Sequence, residues 1–367
     1  MKIIPSLFSR YLARHFIFSF IATLMVLMGF ILLFDVIELL RRSASRNYVT
    51  FGDILQLGLL KLPQMIPLLL PFAVLIAALI VLYRLSKNNE LVIARAAGLS
   101  NWNFLFPIIA VVFAIGLINV TLFNPISAAM YKKYQLEEKT IFKKNANLAW
   151  TDKGLWLREK QDEHVFVMYA QHVKHMESTL FLTDVILLEL GENETLVRQL
   201  EAPKGTLRSN LLVLLSPVSY EGEDKREQLP FFSLPTEFDI DRILQTFDVP
   251  EEISFWQLPE FIEMLDSAGF STARYKMHFY GLLASVFYLI SMALIASVFG
   301  MNPNQRQGGI LIKICGAFLF GFILFFLSRL TTALGVSGSL PFFLAAFGPS
   351  IVAVLLALTI LLYQENG

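Results

Sequence analysis

The sequence predicts a mixed membrane α plus β protein: six transmembrane helices with one β-rich domain inserted between the third and the fourth. Three observations carry this. Charged residues make up only 16% of the chain, against about 25% in a typical soluble domain, and most sit in one central block and a few short loops. Six windows are apolar over nearly the length that a bilayer-spanning helix needs, about 20 residues. Between the third and fourth windows the pattern changes to short apolar runs separated by turn residues.

Residues 3–15 place Ile3, Ile4, Leu7, Phe8, Tyr11 and Leu12 at helical spacing, with Lys2, Arg10 and Arg14 among them. This reads as an interfacial amphipathic helix. The first span, 16–34, has too long an apolar run for a cleaved signal core of about 7–15 residues. The second span, 62–83, carries Pro63, Pro67 and Pro71, and proline removes a backbone donor, so a bent or irregular start is expected. The third covers 104–123, the fourth 278–299, the fifth 314–327 with an extension to 334, and the sixth 340–363. Ser285, Ser291 and Ser297 in the fourth span read as small polar residues at helix contacts, without a neighbouring base that would make one a nucleophile. Cys315 lies in the apolar fifth span and is expected to be buried, so the β domain has no disulfide.

The inserted domain spans 138–250, between an N-terminal half at 1–137 and a C-terminal part at 251–367. Its apolar runs at 155–157, 165–169, 180–190 and 211–218 alternate with Lys153-Gly154, Lys204-Gly205, Ser209-Asn210 and Glu221-Gly222. That spacing suggests a sandwich or jelly roll, with a tight hairpin at 207–211. Beyond it, Phe255, Leu258, Phe261, Ile262 and Leu265 share one face of a helix started by Ser254 and stopped by Gly269. It is expected along the membrane surface.

Enzyme chemistry finds no footing. His172 and His175, three apart on a strand, point to opposite faces, and no metal site is assigned. Asp239 and Asp241 share a face but form no acid–base constellation by themselves. There is no phosphate-binding glycine loop, no His-Glu-x-x-His and no Gly-x-Ser-x-Gly. No catalytic residue and no bound cofactor are therefore expected, and a formal net charge of zero gives no footing for nucleic acid. The span cores hold no ionisable residue, which argues against ion-coupled transport and against a polar channel. The Phe-rich spans suit a lipid-like substrate, or simply face lipid. Orientation follows from loop charge. Lys2, Arg10, Arg14, Arg84, Lys87, Arg95, Arg306 and Lys313 on the N-terminal side outnumber Arg41, Arg42, Arg46 and Arg329 opposite, favouring an inside N-terminus. Lys132, Lys133, Arg274 and Lys276 narrow the margin.

The most informative loop is 88–98, where Glu90-Leu91-Val92-Ile93-Ala94-Arg95-Ala96-Ala97-Gly98 is a good helix former with a glycine stop and an acid near its positive end. A compact cytosolic helix between spans is how ABC-transporter membrane subunits meet their ATPase; an ordinary surface turn is the alternative. Together with Leu82-Tyr83-Arg84-Leu85 before it, Leu99-Ser100 after it, Arg10-Tyr11-Leu12 and Asn124-Pro125, this stretch resembles the LptF/LptG permease family over nearly the whole chain. Asp152-Lys153-Gly154-Leu155-Trp156 is more like the LptG branch.

The resemblance implies a subunit of the lipopolysaccharide-export ABC transporter in the inner membrane, with a periplasmic β-jellyroll. It implies as partners a second, LptF-like permease, an LptB-like ATPase dimer that uses ATP and Mg, and an LptC-like periplasmic bridge protein. The coupling contacts would be Glu90, Leu91, Ala94 and Ala97. Arg41 and Arg42, and more remotely Arg46, would hold the anionic lipid head, unless Glu38 merely pairs with them along the helix. Met25, Met28 and Phe320 would meet the acyl chains. Two features depart from the family: Asp35 stands where it can be basic, and a proline near the start of the fourth span is missing. A function from another class, a membrane-anchored scaffold whose β domain binds an envelope protein, remains as the alternative.

Overall fold

The computed structural model describes the chain apart from residues 1–5, 45–48, 91–92, 94–95, 97–99, 143–147, 152–153, 162–163, 177–178, 192–194, 209–210, 222–224, 237–248, 268, 302–309 and 367. It forms two compact units. The first comprises Met1–Glu138, Pro250–Pro259 and Ala273–Gly367; the second, Lys139–Val249 and Glu260–Thr272. Residues 260–272, which the sequence grouped with the last three spans, thus cluster with the β strands.

The helical unit begins with α1 (Ser6–Ser43), α2 (Phe51–Lys87) and α3 (Asn101–Ile118). One π-helical turn, Asn119–Phe123, leads from α3 into α4 (Asn124–Ile141). After the β unit and a short helix, α5 (Leu258–Ser267), come α6 (Ala273–Gly300), α7 (Ile310–Val336) and α8 (Phe342–Asn366). Six helical stretches are long and apolar enough to cross a membrane. The first, Leu7–Ser43, has 37 residues, about 55 Å at the α-helical rise and so well beyond the hydrocarbon core. No proline interrupts α1, and residues 6–15 run straight into the span instead of forming a separate interfacial helix. A capping box starts α2: the Asp53 N–H donates to Thr50 Oγ1 (3.3 Å) and the Thr50 N–H to Asp53 Oδ2 (2.9 Å). The helix continues through its three prolines.

Small residues set the packing around α6. Ser291 and Ser297 are fully buried, and their hydroxyls donate to the carbonyls of Tyr288 and Ala293 at 2.7 Å. Gly116 lets the third span close on α6, since a Cβ there would lie 3.1 Å from Val286 Cα. Cys315, expected inside, is exposed on α7. An apolar residue on a span need only face the bilayer, so apolar sequence context did not imply burial within the chain.

The β unit is an antiparallel meander, β1 (Leu148–Thr151) to β6 (Leu211–Leu215), with β9 (Phe231–Pro235) beside β6. Between them, β2 is Gly154–Gln161, β3 His164–Met176, β4 Thr179–Leu190 and β5 Leu196–Arg208, while β7 (Val218–Glu221) and β8 (Lys225–Gln228) form a hairpin on β5. The register Arg208↔Leu211 matches the hairpin expected at 207–211. Leu157 and Glu159 of β2 line one small space with Leu212 and Leu234 from the far end of the strand order, so the sheet is rolled on itself around a single core. Buried Glu159 accepts a hydrogen bond from Thr236 (2.5 Å). Across β3, β4 and β5 the buried positions change parity together, at 170 to 173, 182 to 185 and 202 to 205. Asp184, at φ 52°, and Pro203 face each other between paired positions of β4 and β5, with the register unchanged on either side, and Pro203 has no N–H to offer. The bend thereby keeps apolar side chains on the inner face. Helix α5 ends in a Schellman pair, Phe270 N–H to the Leu265 carbonyl and Gly269 N–H to that of Asp266, both 3.0 Å, with Gly269 at φ 79°.

Candidate functional site

At the end of the helical unit from which the chain leaves for the β unit, three helices carry an ionic network. Arg41 Nε and Nη2 donate to Glu38 at 2.9 and 3.0 Å, one turn back on α1. Arg42 Nε reaches the same carboxylate at 3.1 Å, and its Nη1 crosses to Glu138 of α4 at 3.3 Å. Gln56 of α2 donates to Glu137 of α4 (2.8 Å), which Lys133 also approaches at 3.8 Å. Deeper along α1, Lys61 of α2 pairs with Asp35 and lies 5.8 Å from the Tyr134 ring centroid.

These contacts differ in kind. The Arg41 side chain is 78% exposed, so its bond to Glu38 is screened by solvent, adds little stability and leaves the guanidinium accessible. Lys61 and Asp35 are 24% and 16% exposed. Removing either would leave the other charge poorly solvated against apolar helices. Asp35, the departure from the family pattern, is thus balanced by a lysine from the next span. Sequence reading missed Lys61, Gln56, Tyr134 and Glu138. The one available signal was a lysine just before an apolar run, and its partner lies 26 residues away.

The apolar candidates lie on the two least covered spans. Met25 is 64% exposed and Met28 half-buried on α1, whose neighbours are α2 and α3. Phe320 is exposed on α7 and its ring meets Phe299 of α6 at 5.7 Å. A cavity of about 140 Å³ opens between α2, α6 and α7, walled by Ile76, Leu79, Ile80, Phe299 and Phe318, with Tyr83 and Lys313 beside them. Phe299 lines this recess and meets Phe320, but Phe320, Met25 and Met28 do not themselves line it.

At the opposite end, α2 closes on Asn88, and Asn89 adopts φ 60°. Glu90, Ile93 and Ala96 are helical; the Ile93 N–H donates to the Asn89 carbonyl (3.0 Å), and Asn88 Nδ2 holds Glu90 Oε1 (3.1 Å). Ile93 is 67% exposed, an apolar side chain on a short polar loop that sequence reading did not single out. Arg46, Leu91, Ala94, Ala97, Asp239 and Asp241 lie outside the described residues. His172 and His175 both fall on β3, with His172 exposed.

The sequence profile of the family described as lipopolysaccharide export system permease LptF/LptG matches residues 10–363. No curated protein matches the chain.

Proposed function

This chain belongs to the LptF/LptG family of lipopolysaccharide-export permeases, and on that premise we propose that it is one of the two membrane subunits of an ABC transporter. In this reading it draws lipopolysaccharide from the inner membrane and passes it to a periplasmic bridge. The family profile does not separate the LptG branch from the LptF branch; the 152–156 resemblance favours LptG.

The observation that carries the reading is the first span. Its apolar surface, with Ile21, Met25, Val26, Phe30, Leu33 and Phe34 exposed, ends in accessible guanidiniums at Arg41 and Arg42. An amphiphile with several acyl chains and a phosphorylated head matches both parts. Guanidinium can give a phosphate two parallel hydrogen bonds, and the Glu38 and Glu138 carboxylates hold these forks in place until it does. Arg46 extends the cationic loop. Met25 and Met28 on α1, and Phe320 across on α7, supply apolar wall. A second, LptF-like permease would cover what lipid leaves of the α1 and α7 faces.

The 88–98 segment suits docking of an LptB-like ATPase dimer, which would use ATP and Mg. Glu90 offers the charge and exposed Ile93 an apolar contact, and Leu91, Ala94 and Ala97 are the further contacts that the sequence offers. The chain itself holds no nucleotide and performs no catalysis. Its β unit would stand in the periplasm beside an LptC-like partner.

Reconstitution tests this. Vesicles containing the chain, a cognate second permease and the ATPase should hydrolyse ATP faster with lipopolysaccharide present and release it to a soluble acceptor. Hydrolysis without release, or equal release when the chain is left out, would contradict the proposal.

A further inference from the structure

The third span stores an irregularity that the transport reading leaves unused. In the π turn Asn119–Phe123, the Asn124 N–H donates to the Asn119 carbonyl, five residues back. Pro125 follows, and it has no N–H for the carbonyl four residues back, that of Thr121. Two acceptors at this irregularity find donors outside the span: the Thr121 carbonyl and the buried Asn124 side-chain oxygen. Both are taken up by the segment through which the chain returns from the β unit. Trp256 Nε1–H donates to the Thr121 carbonyl at 3.1 Å. The Phe255 N–H donates to Asn124 Oδ1 at 2.7 Å. The Phe255 ring then stacks on Phe279 of α6, centroids 5.3 Å apart and planes within 8°. These residues all belong to the helical unit, and two residues beyond Trp256 the chain starts α5, most of which belongs to the β unit.

The Trp256 side chain is not held by burial, since the residue is 63% exposed. Direction holds it: an indole N–H aimed at a carbonyl that proline has freed. A π turn also keeps one residue of helical register in reserve, which lets a span turn against its neighbour without unwinding.

We propose that Asn124 and Trp256 are positioning residues for transport, forming a joint that passes movement of the third span to the segment entering α5 and the β unit. The inference rests on the permease reading above. Motion of the third span would carry residues 255–257 with it, through one hydrogen bond to a side chain and one to a freed carbonyl.

Asn124→Ala removes the acceptor for the Phe255 N–H, Trp256→Phe removes the indole N–H while keeping a ring, and Asn124→Asp restores an acceptor. In the full chain in lipid discs, hydrogen exchange of the Phe255 amide is expected to quicken about tenfold in Asn124→Ala and to recover in Asn124→Asp. In the reconstituted transporter, Asn124→Ala and Trp256→Phe should keep ATP hydrolysis yet release several-fold less lipopolysaccharide per ATP, with Asn124→Asp near the unaltered chain. Unchanged exchange, or quickened exchange with an unchanged release ratio, would overturn the joint. If the unaltered chain fails to release lipid, the permease reading falls and the coupling role with it, while exchange still reports whether the two bonds exist.

Discussion

The fourth and fifth spans follow one another in the chain and both have long apolar cores, yet 61% of the fourth's most apolar stretch is buried inside the protein and only 17% of the fifth's. The difference lies in side-chain size where helices meet. On α6, Ala284, Ser291, Ala293, Ala296 and Ser297 are all buried, and α2, α3, α7 and α8 close around them. On α7, Phe322 and Phe326 are about three-fifths exposed, and even Phe318 and Phe320, which lie toward α6, stay exposed. In a bilayer, apolarity brings a helix into the membrane but does not draw it to its neighbours; close approach of small residues does. A central helix and a rim helix therefore share a hydropathy and differ in packing, and the rim is the part left for lipid and partners.

Substitutions should separate the two classes. The largest effect is expected from Gly116→Leu, because the added atoms meet Val286 backbone that cannot move aside. Thermal unfolding in detergent should report a loss of about 3 kcal/mol. Next is Lys61→Met, which strands Asp35 and should cost about 2 kcal/mol, between the values for exposed and fully buried pairs. The double change with Asp35→Leu should recover much of that loss, and no recovery would mean that the pair is not coupled. Phe322→Ala on the rim, 59% exposed, should cost under about 0.5 kcal/mol in the isolated chain. A cost near that of Gly116→Leu would break the comparison. The smallest effect on folding is expected for Arg41→Glu with Arg42→Glu, although lipopolysaccharide binding should be lost. Retained binding would make these arginines mere anchors.

Six spans were legible because each is a long apolar window, and the Glu38 pairing with Arg41 and Arg42 because it spans one helical turn. Helix lengths were not. The first apolar window stops at residue 34, but α1 runs to Ser43, since hydrogen bonding continues after the residues turn polar. The Lys61–Asp35 pair needs α1 packed on α2 before its members meet. The π turn is a matter of backbone register, invisible in a window that reads as uniformly apolar, although Asn124-Pro125 marked the place. In the β unit Ser209-Asn210 falls between β5 and β6 as expected, but Lys204-Gly205, expected at a turn, lies inside β5, paired with Leu215 and Leu214, because a glycine in a strand can mark close packing as well as a turn. The parity change at Asp184 was not read from the sequence, because it shows only as two apolar alternations out of step, Leu180 and Leu182 against Val185 and Leu187.

The most direct test of the first span as the lipid path is photo-crosslinking during ATP turnover in cells. Crosslinking side chains at Arg41 and at exposed Met25 on α1, and at Leu289, 2% exposed within α6, sample the rim and the centre. Lipopolysaccharide is expected to be captured at residues 41 and 25 and not at 289. Capture at none of them, or equal capture at 289, would contradict the assignment of the rim as the path.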